Sequence, residues 1–178
     1  RRFALDAAIL FADLPLVADA LGQKLEYRDG EGPVLEPIRS AADLTRLDAA
    51  ALHQRLAPVY ETVRRVATAL PAGAALIGFA GAPWTLATYM VEGGGSADHA
   101  YSKRWAFADP MGFQRLIDLL TEAIAAYLER QIEAGAEAVQ IFDSWAGALP
   151  AAAFHRWCVE PVAAIVRRLK AQHPEVPI

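Results

Sequence analysis

Apolar side chains along this chain follow two alternating spacings, and the alternation predicts secondary structure. Between 113 and 128 the apolar residues recur at the 3.6-residue period of a helix, which begins at Asp109-Pro110 and ends at Gly135. The residues that follow, 136–142, form a short apolar run that is typical of a buried strand. The pattern therefore predicts a helix, a turn and a strand in succession.

The same order of elements recurs along the chain. A helical stripe after Pro58 precedes an apolar run at 74–79, and a helical pattern at 161–172 precedes Val176. Another short apolar run lies near the start, at 7–11. Such alternation predicts parallel strands joined by helical crossovers, in either an open doubly wound sheet or a (β/α)8 barrel.

Two segments rich in glycine lie outside this alternation. Residues 22–38, with several Gly and Pro residues, predict a β-hairpin or an excursion outside the barrel. Gly93-Gly94-Gly95 follow a predicted helical turn rather than a strand, so we interpret them as a flexible loop and not as a dinucleotide-binding motif. With no internal repeat and no linker in view, we expect residues 1–178 to form a single domain.

Composition and charge exclude or disfavour several classes of protein. A chain of 178 residues with 54% hydrophobic and 21% charged residues is not typical of a disordered protein. A net charge of −4 and a pI near 5.6 disfavour nucleic acid as a partner. A single cysteine excludes an internal disulfide framework and favours a cytoplasmic location. The uncharged stretch at 66–91 is interrupted by Pro and Gly, so we predict a strand with turns and no membrane partner.

Polar residues follow three of the predicted strands or lie close behind them. Asp13 comes after the first strand among apolar neighbours, where a carboxylate is costly unless it is hydrogen-bonded or functional. Its alternative role is to cap the helix at 16–21, and the residues leave both open. For Asp143 and Ser144 the pattern alone favours capping slightly over function. Tyr89 is favoured as an amphipathic core residue.

The histidines do not indicate a catalytic triad or a metal site. All four lie in helical or loop segments rich in charge, which favours solvated positions: His53, His99, His155 and His173. No His-x-x-x-His pair and no acidic cluster occurs at ligand spacing, so we expect no metal.

Three blocks of the sequence resemble successive blocks of the uroporphyrinogen decarboxylase family. They are LDAAILFAD at 5–13, GFAGAPWTLATYMVEGG at 78–94 and QIFDSWAG at 140–147. The blocks occur in the family's order and span most of the chain. The middle block is long and unusual in composition, which makes it the most specific of the three.

The resemblance implies a fold, an activity and site residues. The implied fold is a (β/α)8 TIM-type barrel, of which this chain covers roughly the first half to two-thirds. The implied activity is removal of the four acetate carboxyl groups of uroporphyrinogen III to give coproporphyrinogen III, in porphyrin and heme biosynthesis, by an enzyme that is usually a homodimer and uses no metal or organic cofactor. The family's catalytic, substrate-binding aspartate falls on Asp13, its substrate-binding tyrosine on Tyr89, and its substrate-binding serine or threonine on Ser144.

Two parts of the family have no counterpart in these residues. One is an arginine-rich segment before the first block that binds substrate carboxylates, and the other is a histidine near the C-terminus. We therefore expect an incomplete barrel, truncated at both ends, with little activity and poor stability on its own.

Two alternatives compete with this interpretation. One is a corrinoid- and zinc-dependent methyltransferase of the same barrel superfamily, which needs His and Cys ligands on late strands. The single cysteine here, Cys158, falls in a helical pattern, which disfavours that class. The other alternative is an inactive fragment or binding module that keeps the first strands of the barrel.

Overall fold

The computed structural model describes residues 5–30 and 32–178, which form an α/β structure. The strands, in chain order, are β1 (Ala7–Ile9), β2 (Leu25–Arg28), β3 (Gly32–Leu35), β4 (Ala75–Gly81) and β5 (Ala138–Phe142). The α-helices are α1 (Leu16–Ala20), α2 (Leu52–Ala69), α3 (Pro83–Glu92), α4 (Ala100–Ala108), α5 (Pro110–Glu133), α6 (Ala151–Phe154) and α7 (Glu160–Gln172). Short 3₁₀ segments lie at Ala41–Arg46, Ala49–Ala51 and Ala146–Ala148, and a π-helical turn at His155–Val159 joins α6 to α7.

The main sheet is parallel, as the alternation of elements predicts. Its strand order is β1-β4-β5, with Ala7 beside Ala75 and Ile77 beside Ala138. Helix α1, strands β2 and β3, the first two 3₁₀ segments and helix α2 lie between β1 and β4, and helices α3 to α5 connect β4 to β5. Parallel strands joined by helical crossovers are the repeating unit of a (β/α)8 barrel, so the fold-class prediction is confirmed.

Helix α5 begins and ends at the residues that the sequence indicates. The Asp109 side chain accepts a hydrogen bond from the Gly112 N–H at 2.9 Å, and Pro110 occupies the first turn. Gly135 follows the helix with φ of 117°, a conformation that favours glycine. Phe113 on this helix is fully buried and packs edge-on against Trp105 and Trp157, so α5 forms the centre of the core.

Several element boundaries differ from the prediction. Helix α2 begins at Leu52, so Pro58 lies inside the helix instead of before it. Strand β4 occupies 75–81 where the pattern predicts 74–79, and β5 begins at 138, two residues late, and ends at the predicted residue 142. The residues around Val176 form no strand, although the Pro177 carbonyl accepts a hydrogen bond from the Val139 N–H at 3.0 Å.

The predicted hairpin is present and is attached to the main body. Strands β2 and β3 pair antiparallel, outside the three-stranded sheet. The buried Gln23 side chain donates to the carbonyl oxygens of Glu36 at 2.8 Å and Met90 at 3.0 Å, and the Leu35 N–H donates to the Gly93 carbonyl at 2.9 Å. These bonds fix the hairpin against the end of α3.

The uncharged stretch at 66–91 divides between the end of α2, strand β4 and most of α3. Within residues 5–30 and 32–178, no helix has both the length and the apolar character needed to cross a bilayer.

Candidate functional site

The residues after β1 and β5 come together at one edge of the sheet, on either side of β4. Three aromatic rings form a row across this edge, which we call the aromatic row: Phe11, Phe79 and Phe142. Their ring centroids are 5.1 Å apart at both steps. Phe79 is buried, whereas Phe11 is 71% exposed. Because the carboxyl ends of parallel strands carry the functional groups in α/β folds, the polar residues beside the aromatic row form a candidate site.

Asp13 lies beside this row with an exposed side chain that does not cap a helix. Pro15 occupies the N-cap position of α1, and among the described residues no side chain donates or accepts a capping hydrogen bond there. The Asp13 carboxylate instead accepts a hydrogen bond from the Tyr27 hydroxyl at 2.8 Å. Burial raises the pKa of Tyr27, and so do its hydrogen bond to Asp13 and the negative charge of Asp13. The pKa reaches about 12, so the hydroxyl keeps its proton at neutral pH.

The other side of the site is built on Asp143, which also does not cap a helix. Its Oδ1 accepts a hydrogen bond from the Thr85 hydroxyl at 2.6 Å, and Oδ2 is enclosed without a hydrogen-bond partner in the described part of the chain. Burial raises the pKa of Asp143, an effect opposed by donation from Thr85 and by the thiol of Cys158. The thiol is itself buried, which with the charge of Asp143 raises its pKa, so it stays protonated.

Ser144 and Tyr89 lie on this second side, from different elements. Ser144 is exposed at the turn after β5, and Tyr89 is half-buried on α3. The ring of Trp145, the residue after Ser144, lies 6.3 Å from the Tyr89 ring between centroids. The structure therefore links the segment of Ser144 with the helix of Tyr89 through one shared aromatic contact. Tyr89 packs against the core, as its pattern indicates.

The prediction that all four histidines are solvated is wrong for His99. That side chain is 4% exposed, with its ring centroid 5.2 Å from Trp145 and its Nδ1 lacking a partner among the described residues. Burial lowers its pKa and favours the neutral ring. His155 is exposed, 3.1 Å from Glu160, as predicted.

Two residues that contribute to the site were not identified from the sequence pattern. Thr85 is a fully buried hydroxyl in an apolar helix, and a polar residue among apolar ones is the signal that could have marked it. Tyr27 reaches Asp13 because the hairpin folds back towards the loop after β1, a contact that no local pattern encodes. Within residues 5–30 and 32–178, no cluster of three His, Cys, Asp or Glu side chains is arranged to hold a metal ion.

The fold and this edge define the class: an α/β protein of the (β/α)8 type, with polar groups at the carboxyl ends of its strands. A family model described as uroporphyrinogen decarboxylase matches residues 1–178. The chain belongs to the uroporphyrinogen decarboxylase family.

Curated relatives agree along the whole chain. It is 53% identical over all 178 residues to the uroporphyrinogen decarboxylase of Rhodospirillum rubrum, covering 51% of that protein. The same identity and coverage hold for the relative from Rhizorhabdus wittichii, and the relative from Chelativorans sp. is 51% identical with 52% of its length covered. The chain therefore spans about half the length of the curated relatives it matches.

A solved structure supports the fold. The chain superposes on a methyltransferase from Methanosarcina mazei with a TM-score of 0.70, over 96% of this chain and 49% of that one. At 21% sequence identity this likeness establishes the fold alone. The family match favours the decarboxylase interpretation over the methyltransferase alternative.

Proposed function

We propose that the full-length protein containing this chain removes the four acetate carboxyl groups of uroporphyrinogen III and yields coproporphyrinogen III. The observation that carries this proposal is the family match over all 178 residues. The exposed Asp13 carboxylate at the edge of the sheet agrees with it, because a group that must meet a ligand cannot be consumed by helix capping.

Each decarboxylation replaces one carboxylate by one proton, so that an acetate side chain and H⁺ become a methyl group and CO₂. The bond that breaks joins the carboxylate to the CH₂ group, and its electron pair passes into the pyrrole ring, which protonation at carbon has first made cationic. A new C–H bond then forms at the former CH₂ carbon, and the proton at the ring carbon is lost. Family membership supports this route without a metal or organic cofactor, as a proposal.

Asp13 suits the charge that develops in this reaction. A fixed carboxylate can accept hydrogen bonds from pyrrole N–H groups and stabilise the cationic ring, which is a preorganised electrostatic role. The Tyr27 hydroxyl already donates a hydrogen bond to this carboxylate. The pyrrole N–H groups of the substrate would compete with that neutral donor for the Asp13 oxygens. The aromatic row beside Asp13 offers an apolar face for the macrocycle.

Tyr89 and Ser144 suit substrate carboxylates. Both carry neutral hydroxyls that can donate hydrogen bonds to an anion, or assist proton transfer to carbon. The chain has a net charge of −4. Because the substrate carries eight carboxylates, we propose that most of the cationic groups binding it lie outside these 178 residues, as the family's arginine segment suggests.

We further propose that residues 1–178 are part of one barrel domain in a cytoplasmic homodimer. One hydrophobic core, from Val17 to Leu169, supports the single domain. The homodimer and the cytoplasmic location rest on the resemblance, and size measurement of the full-length protein tests the dimer.

The deciding experiment incubates the purified full-length protein with uroporphyrinogen III in an excess of metal chelator and follows coproporphyrinogen by chromatography. We expect four-step decarboxylation to proceed at the same rate with and without chelator. A requirement for added zinc or corrinoid would favour the methyltransferase class, and an absence of product under all conditions would reject the proposed function.

A further inference from the structure

The backbone around Ser144 is held by one buried hydroxyl. Thr85 is fully buried in the first turn of α3. Its hydroxyl donates to Asp143 Oδ1 at 2.6 Å and accepts from the Trp145 N–H at 3.2 Å. The two bonded residues lie immediately before and immediately after Ser144, so a single oxygen atom ties both ends of the turn that presents Ser144.

Two further bonds join the same segments. The Trp84 indole N–H donates to the Trp145 carbonyl at 3.1 Å, and the Ala82 N–H donates to the Phe142 carbonyl at 2.8 Å. The start of α3, residues 82–85, therefore binds the chain on both sides of Ser144 while the Ser144 side chain stays exposed. We call this set of bonds the clamp.

The clamp also sets Ser144 relative to Tyr89. Thr85 and Tyr89 are four residues apart on α3, so they lie on the same face of the helix. A rigid helix that carries Tyr89 and also binds the turn of Ser144 fixes the spacing between the two hydroxyls. Such fixed spacing is what a site needs to bind several carboxylates of one rigid ligand.

The clamp contains a buried carboxylate oxygen, which lowers the free energy of unfolding more than a purely structural connection requires. Asp143 Oδ2 is enclosed with no geometric hydrogen bond in the described part of the chain and with only the weakly donating Cys158 thiol acting on the carboxylate, and burying a carboxylate that way opposes folding. Elsewhere on the same helix, the equally buried Thr88 hydroxyl is satisfied more simply, by donating to the Thr85 carbonyl at 2.7 Å. Costly polar groups at the edge of a site are expected where function requires them.

We propose that Thr85 is a positioning residue, whose hydroxyl holds the turn after β5 so that Ser144 meets the substrate at a fixed distance from Tyr89. This inference rests on the proposed function. Thr85 has no contact with the reacting atoms in this scheme and acts through Ser144.

The first test measures the clamp without any reaction. In the full-length protein, Thr85→Val keeps the shape of the side chain and removes both bonds, whereas Thr88→Val removes a buried hydroxyl that donates within its own helix. We expect hydrogen exchange of the Trp145 amide to accelerate by at least about tenfold in Thr85→Val and to stay unchanged in Thr88→Val and in Thr85→Ser, which retains the hydroxyl. Equal exchange in Thr85→Val and wild type would overturn the proposal.

The second test measures coupling during turnover of uroporphyrinogen. A displacement of a binding group by about 1 Å can lower a rate by about 100-fold, so we expect Thr85→Val to reduce kcat/KM by about 10- to 100-fold. If Thr85 acts through Ser144, adding Thr85→Val to Ser144→Ala produces little further loss, while adding it to Tyr89→Phe multiplies the two losses. Full multiplication with Ser144→Ala would show an independent role and contradict the proposal.

The two tests separate the two ideas. A wild-type protein that leaves uroporphyrinogen unchanged would reject the proposed function, and with it the role in turnover, whatever the exchange data show. A wild-type protein that turns over normally while Thr85→Val matches Thr88→Val in kcat/KM would reject the positioning role alone.

Discussion

The two sides of the candidate site are held in place in different ways. Asp13 is exposed and has one side-chain hydrogen bond in the described structure, from Tyr27, which is itself 63% exposed. Ser144 is flanked by residues that the buried Thr85 and Trp84 bind from α3. Loss of a buried hydrogen-bond partner costs about 1–3 kcal/mol per unpaired group, whereas exposed bonds contribute little. A change at Asp13 is therefore expected to cost little stability, whereas loss of a buried hydrogen bond on the second side is expected to lower the free energy of unfolding.

The largest effect is expected at Asp13, where a substitution lowers activity without lowering stability. In the full-length protein, Asp13→Asn removes the carboxylate charge with little change of shape, and we expect kcat/KM on uroporphyrinogen to fall by about 100-fold or more. The free energy of unfolding, measured with denaturant, is expected to change by less than about 0.5 kcal/mol because the side chain is exposed.

A matched control for that change is Asp29→Asn, which removes the same charge from another exposed position, in the turn of the hairpin. We expect this variant to keep wild-type activity. Wild-type turnover in Asp13→Asn, or a loss of folding in it, would contradict the contrast between the two sides.

The second prediction concerns the strand that lies between the two sides. The buried Gln131 side chain donates to the Phe79 carbonyl and accepts from the Phe79 N–H, both at 2.9 Å. Gln131→Met leaves both backbone groups unpaired, so we expect the full-length protein to lose about 2–5 kcal/mol of unfolding free energy in a denaturant titration. Gln114→Met on the same helix, where the amide donates to exposed Asp118, serves as the control and should change little. Equal losses in the two variants would show that the Phe79 bonds are unimportant.

The third prediction concerns how the free energy of unfolding depends on pH, with opposite signs for two aspartates. Burial raises the pKa of Asp143 above its ordinary 3.8, so the folded state holds that proton more tightly than the unfolded state. Its contribution to stability is greatest below pH 3.8 and is lost as the pH rises through the raised pKa. We expect the stability of wild type relative to Asp143→Asn to fall over that interval, measured by denaturation at a series of pH values.

Asp43 provides the opposite case. Backbone N–H bonds from Arg39 and Ser40, at 2.9 and 3.0 Å, lower its pKa below 3.8. Its contribution is present above pH 3.8 and is lost as the pH falls through the lowered pKa. Wild type relative to Asp43→Asn should therefore gain stability as the pH rises, and slopes of the same sign at both aspartates would contradict this account.

The smallest effect is expected on the exposed side. Tyr27→Phe removes the hydrogen bond to Asp13, and we expect a change below about 0.5 kcal/mol in stability because both groups are exposed. In turnover by the full-length protein we expect a change of a few-fold, since the pyrrole N–H groups replace the lost donor. Tyr101→Phe, an exposed tyrosine on α4, is the control, and a loss as large as that of Asp13→Asn would assign Tyr27 a catalytic part.

Much of this architecture follows from local patterns. The α5 boundaries follow from Asp109, Pro110 and Gly135, because capping and backbone freedom are local properties. The alternation of helix and strand is visible because apolar spacing differs between the two. The start of α2 was predicted wrongly because proline favours the first turn of a helix. A helix interior tolerates proline when packing compensates, and Pro58 lies inside α2.

The candidate site divides along the same line. The motifs placed Asp13 and Ser144 just after strands and Tyr89 in the block that follows β4, and their assigned roles remain predictions. Local patterns left capping open for Asp13 and favoured it for Asp143, and the structure shows that neither side chain caps a helix. His99 was misplaced because a charged segment does not reveal which of its side chains a neighbouring Trp145 will cover.

The sequence by itself determined the α/β class, the hairpin, the family and the three candidate residues, because spacing, capping and motif identity are written in consecutive positions. Tertiary structure alone decided that Thr85 binds both neighbours of Ser144 and that Tyr27 reaches Asp13. These contacts join residues 60 and 58 positions apart in the first case and 14 in the second. The physical reason is that a hydrogen bond depends on where packing brings two groups, and packing is a property of the whole fold.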